Sequence, residues 1–176
     1  MIIGFMDESS PQTTANTQRL WSFGKPTIYK NTDKIKANAF GCDILNGTSV
    51  IDFKEHSTKE DVGEFLKTIR EKNPLSKIAI LCDNFTSHRA HYTIQCAREH
   101  DITLIFLPKY SPDLNPIEFI RKSIKRVISR NFVHDIDHMR SLIQDSFLAN
   151  ASKLSFAGYW IERFLGGADW FKKLGS

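Results

Sequence analysis

Residues 107–126 read LPKYSPDLNPIEFIRKSIKR, and the fold turns on how this stretch is understood. Pro108, Pro112 and Pro116 break the chain into turns, and a strongly patterned helix follows them. Asn115 suits an N-cap, Pro116 the first helical position and Glu118 the third. Ile117, Ile120, Ile124, Val127 and Ile128 recur at helical spacing and make one apolar face. Arg121, Lys122, Lys125, Arg126 and Arg130 take much of the rest. Glu118 falls at the border, about 100° around from Ile117 at the helical repeat, on the side that carries Arg121 and Lys125. A carboxylate thus stands at the mouth of a basic helix.

Working outward, two earlier acids close short apolar runs. ITLIFLP, just upstream, has the length of a strand, and a short helix is expected before it over Ala90 to His100. KIAILCD, ending in Asp83, is nearly continuous in apolar residues, as in a strand covered on both faces. Pro74 ends a helix predicted over Ser57 to Lys72, where Val62, Phe65, Leu66 and Ile69 hold helical spacing and Ser57 or Thr58 begins a capping box. KANAFGCDIL and TSVIDFKE flank Asn46-Gly47, a pair suited to a two-residue hairpin turn. Ile2 to Asp7 is the first strand, with Ile3, Phe5 and Asp7 on one face by the period of two. Between these comes a polar, turn-rich excursion that Trp21 and Phe23 are expected to pin. A last helix spans Ile136 to Leu148, and an aromatic tail with Trp160, Phe164, Trp170 and Phe171 reads as core or a dimer contact.

This order predicts an α/β fold, a mixed five-stranded sheet flanked by helices, in a single domain over residues 1–176 with a C-terminal helical tail. In such sheets sites gather beyond the carboxyl ends of parallel strands. If the strands ending in Asp7 and Asp83 are parallel neighbours, their carboxylates sit side by side. Each acid also has an ordinary reading. Asp7 and Asp83 start turns well, and Glu118 fits a capping box or an i,i+4 pair with Lys122. Their convergence on one edge is what raises them above that.

The totals set bounds. The 176 residues are 41% hydrophobic and 25% charged, values of a globular chain large enough for a proper core. A net charge of +4 and a pI near 9.0 permit a polyanionic partner without demanding one. No apolar run approaches the ~20 residues of a membrane span, and MIIGFMDESS is unlike a signal peptide, so the expected location is cytoplasmic. Cys42, Cys82 and Cys96 form no C-x-x-C pair and read as small buried side chains. The chain shows no glycine-rich phosphate loop, which disfavours a small-molecule phosphatase.

The strings MDES, LCDNFTSH and LPKYSPDLNPIE, in this order, resemble the three signature blocks of the mariner-like superfamily of DDE transposases, in particular its bacterial and archaeal insertion-sequence branch. The family's spacing between the last two acids is matched, with 34 residues, 84 to 117, between Asp83 and Glu118. The resemblance covers residue 2 to about residue 130, and the segment from Arg19 to Gly24 supports it more loosely. It implies a ribonuclease H-like catalytic domain in which Asp7, Asp83 and Glu118 are the catalytic and metal-binding triad. Crowded carboxylates repel one another unless cations join them, and hard oxygen donors select Mg²⁺ or Mn²⁺, here two ions. The implied activity is metal-dependent DNA cleavage and strand transfer. Asn84 and His88 would support the site, with a surface-loop role as the alternative for His88. Lys109, Tyr110, Arg121, Lys122 and Lys125 would contact DNA, though exposed loop and helix residues of this kind are commonly just solvated.

Relatives carry helix-turn-helix units before the catalytic domain, and this chain begins almost on the first strand, so recognition of particular transposon ends is expected to be absent or weak. The expected partners are DNA, both transposon ends and target, on the nucleoid, with a homodimer left open and no membrane. Two other readings stay open: another ribonuclease H-like nuclease, integrase or resolvase, and a catalytically silent DNA-binding module derived from a transposase.

Overall fold

Strand β1 (Ile2–Ser9) divides its side chains between two layers. Ile3 and Phe5 enter one apolar cluster and Ile2 and Met6 the other. This is the period-two alternation of a strand with helices on both faces. The structure, a computed structural model, describes residues 1–14, 23–24, 29–109, 111–151, 158 and 162.

The remaining elements are β2 (Asn38–Leu45), β3 (Val50–Lys54), α1 (Lys59–Lys72), β4 (Ile78–Cys82), α2 (His91–Glu99), β5 (Ile102–Phe106), a 3-10 turn at Pro112–Leu114, α3 (Ile117–Arg130) and α4 (Ile136–Ala151). They build a five-stranded sheet in the order β3-β2-β1-β4-β5. β1 is antiparallel to β2 and parallel to β4, and β4 is parallel to β5, so the sheet is mixed as expected. Val62, Phe65, Leu66 and Ile69 of α1 and Ala97 of α2 close one face over Phe40 and Ile80. On the other, Ile117, Ile120 and Ile124 of α3 and Phe147 of α4 close over Phe5 and Leu81. Every residue of β4 is buried, which accounts for its unbroken apolar run. β5 is an edge strand, and Thr103 and Ile105 stand exposed on its uncovered face.

Helix α1 begins as its capping box predicts. The Thr58 hydroxyl accepts from the Asp61 N–H at 3.2 Å, and the Asp61 carboxylate accepts from the Thr58 N–H at 3.0 Å.

The β2–β3 connection differs from a two-residue hairpin. β3 has its last rung at Cys42↔Val50, while Ile44 and Leu45 stay paired with β1, so residues 46–49 must span the difference. Asn46 takes the left-handed conformation at φ 57°. The loop is fastened to the end of α1, where the Asn73 side chain accepts from the Thr48 N–H and donates to its carbonyl. A Cβ on Gly47 would come within 2.7 Å of that amide oxygen, which is why a glycine stands there.

The described ends of the excursion after β1 are held to one another by hydrogen bonds. Gln12 bridges Lys36, and Thr13 exchanges hydrogen bonds with Ile35 and Asp33. Phe23, one half of the expected pin, is exposed, and Trp21 lies outside the described residues. Outside them too lie Tyr110 and the tail aromatics Trp160, Phe164, Trp170 and Phe171. Cys42 and Cys82 are buried and free, whereas Cys96 is only half-buried and donates to the Gly63 carbonyl. Among the described residues no helix is long and apolar enough to cross a membrane.

Candidate active site

Parallel pairing of β1 and β4 sets Phe5 against Leu81. Carried two residues further, that register brings Asp7 level with Asp83 at the carboxyl end of both strands, where α/β sheets place their sites. Helix α3 supplies the third acid. Its entry is anchored to β1, because the Asn115 amide donates to the Met6 carbonyl at 3.1 Å, one residue before Asp7. Asn115 therefore does not cap the helix with its side chain as its position suggested. Pro116 adopts helical angles at the boundary, Ile117 is the first residue of α3, and Glu118 is the second rather than the third. Asn84 fastens the opposite wall, where its amide donates to the Leu107 carbonyl and the Leu107 N–H donates to the Cys82 carbonyl. Beneath the site, Gly41 sits opposite Asp7 in β2, and a Cβ there would lie 2.8 Å from the Phe147 ring. The glycine lets α4 close directly on the sheet.

The three acids line one cleft, together with Asn84, Phe85, Pro108, Lys109, Ser111, Asn115 and Arg121. Their environments differ. The Asp7 side chain is 9% exposed, Glu118 25% and Asp83 56%. Burial pushes the Asp7 carboxyl up to about 6, and the charge of Glu118 adds to this; the Arg121 cation and the Glu8 N–H pull the other way. Asp83 is held below the ordinary carboxylate range, chiefly by its hydrogen bond to His88 and also by the Phe85 N–H. The bond from Phe85 shows that the turn-starting role is real as well.

Arg121 lies on the Glu118 side of the helix, as the helical spacing placed it, and turns toward the acids. Its Nη1 lies 2.5 Å from Asp7 Oδ2 and 2.8 Å from Glu118 Oε1, so it binds both carboxylates here. Its position three residues after Glu118, almost one turn on, was the available signal. Among the described residues no three acid, imidazole or thiol groups stand together at metal-ligand spacing. The donor set nevertheless suits a divalent ion, being three hard carboxylates on one cleft whose negative charge already draws in a guanidinium.

His88 is 1% exposed, so it is no surface-loop histidine. Its Nδ1 lies 2.7 Å from Asp83 Oδ1 and its Nε2 2.9 Å from Glu8 Oε1. Burial disfavours its cation, but the two hydrogen bonds and the charges of Glu8 and Asp83 outweigh that and raise it to about 9. Nothing in the sequence pattern alone marks Glu8 as the partner of His88. Strand alternation turns it away from Asp7, toward the face where His88 lies. Lys109, Lys122 and Lys125 are exposed, with the Lys122 ammonium 5.4 Å from the Phe119 ring centre.

A model of the DDE superfamily endonucleases matches residues 3–140. The chain belongs to that family. No curated protein matches this DDE endonuclease chain in sequence. Among solved structures it is similar to the Mos1 transposase paired-end complex with left transposon end, at TM-score 0.69 and 17% identity over 92% of this chain and 51% of that one. It is also similar to the Mos1 mariner paired-end complex with Mn, at TM-score 0.66 and 17% identity over 92% and 52%. The crystal structure of the Mos1 mariner transposase catalytic domain matches at TM-score 0.65 and 14% identity over 92% and 76%. The chain thus spans about half the length of the first of these, and the shared architecture is the ribonuclease H-like fold.

Proposed function

We propose that this DDE endonuclease is the catalytic domain of a DNA transposase, cleaving phosphodiester bonds and transferring strands, with Asp7, Asp83 and Glu118 holding two Mg²⁺ or Mn²⁺ ions. The observation that carries the reading is that three acids from three separate elements line one cleft at the carboxyl ends of β1 and β4. Structures of Mos1 with Mg and with Mn support the choice of ions. When bound, such ions activate an attacking oxygen and stabilise the leaving one in an in-line phosphoryl displacement.

The chain's own residues do the rest. Asp7 is set by β1 and by the Glu8 N–H, Asp83 by His88 and the Phe85 N–H, and Glu118 by the Asn115 anchor at the start of α3. His88, braced on Glu8, limits the orientations open to Asp83. Lys109, Tyr110, Lys122 and Lys125 supply phosphate contacts that fix register without reading sequence. The substrate is DNA, transposon ends and target, in the cytoplasm, with two chains acting on paired ends.

The test is nicking and strand joining on supercoiled plasmid with Mg²⁺ or Mn²⁺. Asp83→Asn is expected to lower metal-dependent product at least about 100-fold. Equal cleavage by both proteins would remove the assigned site and favour a silent DNA-binding module.

A further inference from the structure

Arg121 lines the acid cleft, the depression beside it that holds Glu8 and His88, and the apolar crevice under α3. An arginine usually meets a carboxylate as a fork, two nitrogens on two oxygens. Here a single nitrogen, Nη1, lies between oxygens of two different carboxylates, Asp7 Oδ2 and Glu118 Oε1. Nε is buried and makes no hydrogen bond. The guanidinium is therefore used as a point of positive charge between two acids. A divalent ion uses a pair of carboxylates in the same way, with twice the charge and shorter contacts.

We propose that Arg121 is the site's internal counter-cation: it holds Asp7 and Glu118 together before metal loading and gives way to the divalent ion. This rests on the transposase reading of the same cleft. Arg121 is a positioning residue in this scheme, since it acts through the two carboxylates. Its side chain is 25% exposed, so part of it already faces the open cleft. Two carboxylates without a cation repel, and Arg121 relieves that repulsion; because it also occupies their oxygens, a metal ion must displace it. The sign is therefore unusual, in that removing Arg121 improves metal binding while loosening the metal-free site.

The test is Mn²⁺ titration without DNA, following free Mn²⁺ by electron paramagnetic resonance, for the wild type, Arg121→Gln, Arg121→Lys and the exposed control Arg126→Gln. Arg121→Gln is expected to bind Mn²⁺ about tenfold more tightly, from loss of one competing charge at contact distance in a partly screened site. Arg121→Lys should fall between it and the wild type, and Arg126→Gln, with the same change in net charge, should stay within about twofold of the wild type. Equal or weaker binding by Arg121→Gln, or equal tightening by Arg126→Gln, overturns the exchange and leaves the metal site standing. Absence of Mn²⁺ binding by every protein overturns both the exchange and the transposase reading it rests on.

Discussion

His88 is sealed between Glu8 and Asp83, and its value to the site lies in what it does to Asp83. The most exposed of the three acids is also the one braced by a buried imidazole. Loss of such an outer partner typically costs about 10–100-fold in metal affinity or activity. His88→Ala should therefore lower the rate of plasmid nicking by that order while the concentration of DNA giving half-maximal rate stays put. Glu8→Gln, which keeps an acceptor for His88, should lose less. A rise in the half-saturating DNA concentration instead would place His88 in DNA binding. Asp43 gives a second test, of stability. It is 1% exposed on β2, and burial pushes its carboxyl up to about 6 against an ordinary 3.8, with only the Ser49 hydroxyl opposing. Because the folded state holds this proton more tightly, its contribution is complete below pH 3.8 and is lost as pH rises toward 6. Asp7, raised for the same reason, adds a slope of the same sign in metal-free protein. Asp43→Asn should leave stability at pH 4 unchanged and raise it by roughly 1–3 kcal/mol at pH 7.5, measured by urea unfolding. A uniform change at both pH values would contradict this. At this scale the sequence marks Asp7, Asp83, Glu118 and His88 through the motif blocks. It does not mark Glu8 or the inward turn of Arg121, because both depend on which way a side chain faces at a sheet edge.

The elements were legible wherever one period ran unopposed. The Thr58–Asp61 box, the apolar stripe of α3 and the continuous run of β4 each correspond to a single physical cause, and each appears as expected. Misreadings arose where two elements compete for the same residues. Asn46-Gly47 favours a tight turn locally, yet β2 keeps pairing with β1 after β3 has left, and the loop lengthens to suit. Asn115 is a good cap by composition, but the Met6 carbonyl claims its amide. That claim makes Asn115→Ala a test of element placement. With the anchor gone, the variant should lose about 1–3 kcal/mol in urea unfolding, and nicking should fall because Glu118 is carried by the loosened helix end. Unchanged stability would show that the tether holds nothing.

For the molecule as a whole, the mixed sheet and its helical layers follow from the order of apolar runs, and the meeting of acids follows from parallel neighbours sharing a carboxyl edge. Strand order itself is not written in any local pattern, because pairing β1 between β2 and β4 is decided by global packing. A basic chain with Lys109 on the acid cleft and Lys122 and Lys125 exposed on α3 should bind DNA by counterion release. Replacing Lys122 and Lys125 by Gln should weaken binding equally on unrelated sequences and reduce the slope of log affinity against log salt by about 2. An unchanged slope would mean that α3 does not meet the backbone. The most direct measurement is anomalous scattering from a crystal soaked in Mn²⁺. The account predicts peaks among Asp7, Asp83 and Glu118 with the Arg121 guanidinium moved away, and a cleft without Mn²⁺ peaks, Arg121 still on both acids, would contradict it.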